Sequence, residues 1–400
     1  MAFLLFFINE IYFSNWPWQT PLLLLPKNKS ILSEQKNISP TPVQESQPSQ
    51  EGLSSVVGAG KDKTDQLVHH LFDVGGLPSP KGLAFSKDGK EIWATLLLNK
   101  KRGVAVLDAA TGNLIKNINL DNGGGVEILF SQDGSKTYVS QMETAKVYEI
   151  DAKTKEILRV FDTKSTWTKE MAFSGDQKFL FASNWVGNDV SELDLEKGSL
   201  NRLIKTVATP RGVYATADGR YLYVAGFGAG EIEKIDLESG AKKVIFKSGG
   251  AMRHIIGDEQ KGILYISDMG RNIIWKLFLD SDKVEKFADT DKNPNTIALS
   301  PDRKILFVSC RGINFSADNY YVPGPEWGSV LLFDTETGSL LDAIVGGNQP
   351  TALDISSDGA ILAFSDFLDN KVEVYSVPSY EVLKNGAGGR GGSYKAELKK

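Results

Sequence analysis

The chain has 400 residues, 41% of them hydrophobic and 24% charged, and its 45 basic against 50 acidic side chains give a formal charge of −5. This apolar content excludes disorder over most of the length, and so long a chain calls for several domains or one repeat architecture. A single cysteine, Cys310, excludes an intrachain disulfide and any multi-cysteine metal site, three histidines argue against a multi-histidine centre, and the acidic balance gives no general attraction to nucleic acid or anionic lipid.

Residues 1–30 begin Met-Ala-Phe-Leu-Leu-Phe-Phe-Ile and are then broken by Asn9, Glu10, Pro17 and Pro21. A transmembrane helix needs about 20 mostly apolar residues, so no span is expected here. A signal peptide wants a positive start, yet the first basic residue is Lys27, so the stretch reads as a hydrophobic leader or an atypical signal, without a lipobox cysteine. Residues 31–65 turn to Ser, Pro, Gln, Glu, Lys and Gly and read as a flexible linker. At the other end, residues 386–400 form a glycine-rich basic tail, expected to be solvated.

Between them, over residues 66–385, one phrase recurs: an apolar strand, Ser-x-Asp-Gly or a variant, then a second strand. Its turn residues Asp88, Asp133, Asp176, Asp218, Glu259, Asp302 and Asp358 stand 45, 43, 42, 41, 43 and 56 residues apart. Asp-Gly supplies the positive φ angle that a tight hairpin demands. A third strand often ends in Asp (Asp108, Asp151, Asp194, Asp236, Asp334), followed by a turn and a fourth strand. A four-stranded sheet of this size cannot cover both its faces, so seven such units must pack face to face. The spacing therefore predicts an all-β, seven-bladed propeller of four-stranded antiparallel blades. Residues 66–72 and 380–384 both read as the strand that closes the ring, and the N-terminal one is favoured because it interlocks the two ends.

The Pro-x-x-apolar-x-apolar-Ser-x-Asp-Gly phrase, the Tyr-Val or Phe-Val second strands (Tyr138-Val139, Tyr223-Val224, Phe307-Val308) and the Asp-x-x-Thr-Gly turns (Asp108 to Gly112, Asp334 to Gly338) resemble those of YVTN-type β-propellers. That resemblance covers about 320 residues and implies a bacterial exported or cell-surface protein. Such folds host unrelated activities, so function has to be argued from the site.

The Asp-Gly and Thr-Gly turns share one face and look structural, and binding is expected on the other. The entry to each first strand borders the central channel: Lys81, Val126, Lys169, Arg211, Met252, Asn295 and Thr351, with Glu127, Glu170 and Arg253 beside them. Loops between strands two and three add Lys100, Lys101, Arg102, Trp185, Phe227, Arg271 and Arg311, and a four-to-one loop adds Trp167. The long interval falls at residues 312–328, a blade-six insertion with Tyr320, Tyr321 and Trp327, which either forms a recognition surface or folds down to plug the channel. His254 is expected to replace an apolar core residue. Met252-Arg253-His254-Ile255 also resembles the Pro-Arg-His-apolar phrase of lactonase-type propellers, with Met252 in place of the proline. Cys310 reads as a buried, inert thiol.

The leading expectation is a non-enzymatic binding or scaffold propeller, periplasmic or on the cell surface and monomeric, with no cofactor and no metal. It recognises a partner protein or small polar ligand through Lys81, Lys169, Arg211, Arg253, Trp167, Trp185, Phe227, Arg271, Arg311, Tyr320, Tyr321 and Trp327. The alternatives are lactone hydrolysis by His254 and Arg253, and single-stranded DNA binding on a locally basic rim.

Overall fold

The computed structural model describes residues 55–57, 66–98, 103–314, 320–386, 390 and 392–400. The expected leader, most of the linker, Lys100, Lys101 and Arg102, and residues 315–319 of the insertion lie outside them. Six repeats fold as four consecutive antiparallel strands, as in Pro80–Phe85, Glu91–Leu96, Val104–Asp108 and Leu114–Ile118, and the seventh supplies three, Pro350–Ile355, Ile361–Asp366 and Lys371–Ser376. Seven such sheets form a ring in which the first strands of neighbouring blades lie against one another all the way round. The protein is an all-β, seven-bladed propeller.

The repeated turn chemistry builds this frame. Ser86 Oγ donates to Asp88 Oδ1 at 2.7 Å and accepts the Glu91 N–H at 2.9 Å, while Gly89 takes the left-handed φ of +71°. The same hydroxyl–carboxylate pair returns at Ser131–Asp133, Ser174–Asp176, Thr216–Asp218, Ser300–Asp302 and Ser356–Asp358. Blade five departs from it, because Glu259 reaches into blade four and accepts the Tyr214 hydroxyl and the Ala217 N–H, each at 2.8 Å.

Between blades the core is apolar, with edge-to-face pairs such as Trp93 on Phe130 at 5.5 Å and Tyr138 on Phe173 at 5.4 Å. Fully buried side chains of this kind stabilise by roughly 1.5–3 kcal/mol each.

The N-terminal strand closes the ring. His69–Gly75 pairs antiparallel with Lys371–Ser376, placing Phe72 opposite Val374 and Val74 opposite Val372, and Ser55–Val57 adds a further edge strand. With that edge taken, residues 380–384 have no ladder to join. They lie in a helix, Tyr380–Gly386, that drives Leu383 into the core of blades six and seven. The tail also packs rather than staying solvated. Tyr394 and Leu398 are buried against blades five and six, and buried Arg390 donates to the Ala343 carbonyl at 3.0 Å and pairs with Glu397 at 3.0 Å. Among the described residues no helix is long and apolar enough to cross a membrane.

Candidate functional site at the channel mouth

A repeated defect in the ladder creates the site. In six blades the pairing of strands one and two slips just after the channel-side end, for instance between Pro80 and Leu83, Met252 and Ile255, and Pro350 and Leu353. A hydroxyl on strand two bonds the freed backbone in every blade but the fourth, which has Ala225 there: Thr95, Ser140, Ser183, Ser267, Ser309 and Ser365 accept the N–H of Gly82, Glu127, Glu170, His254, Thr296 and Ala352 at 2.7–3.1 Å. The first five of these hydroxyls also donate across to the next blade, to the carbonyls of Val126, Lys169, Arg211, Asn295 and Thr351 at 2.6–3.0 Å. One residue per blade is thereby held at the channel mouth, through its own carbonyl or through the N–H that follows it.

The pinned residues are Lys81, Val126, Lys169, Arg211, Arg253, Asn295 and Thr351. This corrects the expectation for blade five, where Met252 takes the proline position and Arg253 is the lining residue. It also corrects His254, because the apolar core position belongs to Ile255, opposite Ile266, as Val213 is opposite Val224. His254 instead matches Gly82, Glu127, Glu170 and Gly212. Glycine stands at 212 because a Cβ there would lie 2.9 Å from the Arg253 carbonyl oxygen.

Arg211 forms the centre of a buried network, binding Glu127 at 2.5 Å through one nitrogen and Glu170 at 3.0 Å through the other. His254 Nε2 meets the other oxygen of Glu170 at 3.2 Å. Burial alone would raise the Glu170 pKa, but His254 and Arg211 hold it below the usual carboxylate range. Burial and the neighbouring Glu170 raise that of Glu127.

The remaining cations have no carboxylate within 4 Å among the described residues. Lys81 donates to the Tyr320 hydroxyl at 3.2 Å and lies 4.9 Å from the Phe367 ring centre. Lys169 lies 5.2 Å from the Trp167 ring and 5.7 Å from that of Trp185, with its ammonium against the Met142 sulfur. Arg253 donates its Nε to Asn295, and Arg311 donates a terminal nitrogen to Gln349 while stacking 4.3 Å from the Tyr320 ring centre. Burial, reinforced by the surrounding arginines, pulls both lysines well below their usual pKa. Burial with Arg211 and Arg311 brings Arg253 down to about 9. Buried groups of one sign share this space, and each makes the others harder to charge.

An aromatic lid covers them. Tyr320 packs edge-on to Tyr321 at 5.3 Å and to Phe367 at 5.6 Å, its carbonyl accepts Gln349 Nε2 at 2.9 Å, and Leu97, Val126, Met142 and Trp167 complete the cap. Of the two expectations for the insertion, Tyr320 follows the plug. Trp327 lies elsewhere, against the tail, with its N–H donating to the Leu398 carbonyl at 2.8 Å and Lys400 4.5 Å from its ring. The Trp185 and Phe227 rings pack at 4.7 Å, tilted by 45°, beside Lys169, whereas Arg271 is tied to the Ser248 carbonyl at 2.7 Å on the rim. Phe367 and Gln349 are the partners that sequence reasoning passed over, and Asn295, expected at the channel border, was not counted among the binding residues. Their signal is positional: Gln349 precedes a first-strand proline and Asn295 follows one.

Elsewhere, His70, Asp73 and Glu373 bring ligand atoms within 4.8 Å of one another, but the Lys371 ammonium sits 3.3 Å from Asp73 and 2.5 Å from Glu373, where a metal cation would bind. Cys310 is fully buried, and burial with the nearby Asp291 raises its pKa far enough to keep it a thiol.

No protein-family model matches the chain. It is 33% identical over 259 residues to Antigen Lp49 of Leptospira interrogans, covering 63% of this chain and 57% of that protein, and so spans less than two thirds of that relative's length. A shorter match, 32% identical over 85 residues, links 21% of the chain to 23% of the uncharacterized protein YncE of Salmonella typhimurium. Among solved structures, Kuenenia stuttgartiensis hydrazine synthase aligns with a TM-score of 0.64 over 75% of this chain and 96% of that one, and at 18% identity the likeness is one of fold.

Proposed function

We propose that the protein is an exported, YVTN-type binding propeller that holds a small ligand at the channel mouth of its loop face, beneath the blade-six insertion, and performs no chemistry on it. The observation that carries this reading is the convergence of one pinned side chain per blade on a single buried polar space that Tyr320 and Phe367 cover. Concave, largely pre-formed sites with a few fixed polar groups are the usual form of small-molecule sites. Similarity to a leptospiral antigen supports the exported placement. Native mass spectrometry of the gently purified protein tests the binding reading. A bound mass that is retained by the parent and lost when Tyr320 and Phe367 are both replaced by Ala is the expected result, and an empty protein in every preparation overturns it.

Lactone hydrolysis is the second reading, favoured by the His254–Glu170 contact, in which a carboxylate orients the imidazole. Its test is a panel of sugar lactones, and a His254→Ala variant as active as the parent removes it.

A further inference from the structure

We propose that the channel mouth is a site for a small polyanion, a molecule bearing two or more phosphate or carboxylate groups, gripped by Lys81, Lys169, Arg253 and Arg311. The inference rests on the binding reading above and adds the charge of the ligand. Three observations carry it.

The first is the charge count. Five cations and two carboxylates face the same space, and Arg211 engages both carboxylates, so the other four cations are left without an anionic partner among the described residues. Lys81, Arg253 and Arg311 are each less than a tenth exposed, which leaves little water to screen them. Burying a charge without an opposite charge is costly, and natural proteins accept the cost where a ligand supplies the missing sign.

The second is the sign of the unused hydrogen-bonding capacity. Arg311 Nε and Asn295 Nδ2 are buried without an acceptor. Asn295 is oriented by its neighbour, since its Oδ1 accepts from Arg253 and its NH₂ is turned away. Both orphaned groups can only donate, and buried polar groups are nearly always paired. Acceptor oxygens with negative charge meet both needs at once, and the planar guanidinium of Arg311 offers a carboxylate or phosphate two donors.

The third is size. Lys81, Lys169 and Arg253 project from the first strands of blades one, three and five and Arg311 from just past the second strand of blade six, and Tyr320, Phe367, Leu97 and Val126 roof the space. A strand of nucleic acid needs an open groove with stacking platforms in sequence. A compact molecule needs only the lid to lift. Three excess positive charges match a di- or trianion better than chloride.

The test uses the full chain, dialysed free of phosphate and titrated calorimetrically with pyrophosphate in one arm and citrate in the other. Sodium chloride at matched ionic strength serves as the control, and thermal melts run in parallel. The expected result is saturable binding of at least one polyanion, a melting temperature raised above the chloride control, and at least tenfold weaker affinity in Lys81→Met/Arg253→Met. Without ligand, that double variant should melt at or above the parent's temperature, because it discards unpaired buried charge, whereas cations that serve only to hold the fold would lower it. Failure of both polyanions to exceed chloride overturns the proposal, as does affinity unchanged in the double variant. Recovery of a neutral or cationic ligand by native mass spectrometry overturns it too but leaves the binding reading standing. Tight binding of an oligothymidylate with no response to either small anion overturns it in favour of nucleic acid.

Discussion

The two faces of the ring spend their charge differently. On the turn face, blade five apart, the aspartates of the repeated turns are answered within their own hairpins: Asp108 accepts from the Thr111 hydroxyl and N–H, each at 2.8 Å, and Asp133 from Ser131 and Ser135. Short-range hydrogen bonds hold these carboxylates below their usual pKa, Asp133 at about 2. At the channel mouth the partners come from different blades, and four cations find no carboxylate within 4 Å among the described residues. A self-sufficient turn can be copied around a ring without regard to its neighbours. The mouth cannot, because each lining side chain is judged against six others.

Breaking the ring itself should give the largest effect and erase both faces together. Deleting residues 1–74 removes the strand His69–Gly75 that bonds to Lys371–Ser376, and it exposes Val372, Val374 and the edge of blade seven. The expected outcome is loss of the cooperative melt, read by circular dichroism, since no segment remains to close the circle. Next comes Arg211→Met, which strands Glu127 and Glu170 in a buried space. Removing one partner of a buried ion pair costs roughly 3–5 kcal/mol, seen as a lower denaturant midpoint. Arg253→Met removes charge of the surplus sign and should be near neutral or stabilising without ligand. A mouth whose charges were balanced like those of the turns would lose stability in both variants.

The contrast between faces also marks how far the sequence could be read. The blades were legible because Ser-x-Asp-Gly and Asp-x-x-Thr-Gly carry their own partners within five residues, so the period announces itself. Lys81, Lys169, Arg211 and Arg311 were identifiable as mouth residues by their offset from the same markers. What one-dimensional reading missed depends on distance in space. Blade five lacks the proline, which moved the assignment of Met252, Arg253 and His254 by one residue. The engagement of Glu127 and Glu170 by one arginine spans 84 and 41 positions. Residues 380–384 have strand-like composition, and they turn helical only because a segment some 300 residues away has taken the sheet edge.

A half-buried carboxylate with answered hydrogen bonds should behave like neither face. Asp354, at the end of the first strand of blade seven, accepts the Phe85 N–H of the next blade at 2.8 Å and the Ile355 N–H at 2.9 Å. Burial nonetheless raises its pKa to about 6. The folded protein therefore binds the Asp354 proton more tightly than the unfolded chain, whose value is about 3.9. This contribution is fully favourable below about pH 4 and is lost as pH rises through 6, amounting to about 2–3 kcal/mol. Asp354→Asn should flatten that segment of the stability–pH curve, and an unchanged slope between pH 4 and 6 refutes the assignment.

The smallest effect belongs to a single turn. Asp218 accepts the Thr216 hydroxyl and, at 3.0 Å, the Arg220 N–H, and it stands at the surface. Asp218→Ala removes one exposed bond, whose Arg220 N–H can turn to water, and one part-buried bond, whose Thr216 hydroxyl already lies 3.3 Å from the Tyr221 carbonyl, and Gly219 keeps its left-handed φ of +73° with nothing within 4 Å of its α-carbon substituent position. A loss of about 1 kcal/mol or less follows. Moreover, the loss should add to that of Asp88→Ala, because the two turns lie in different blades and share no partner. Interfering losses would mean that the turn face is a coupled network like the mouth, and the independence that lets one turn be repeated around the ring would have to be given up.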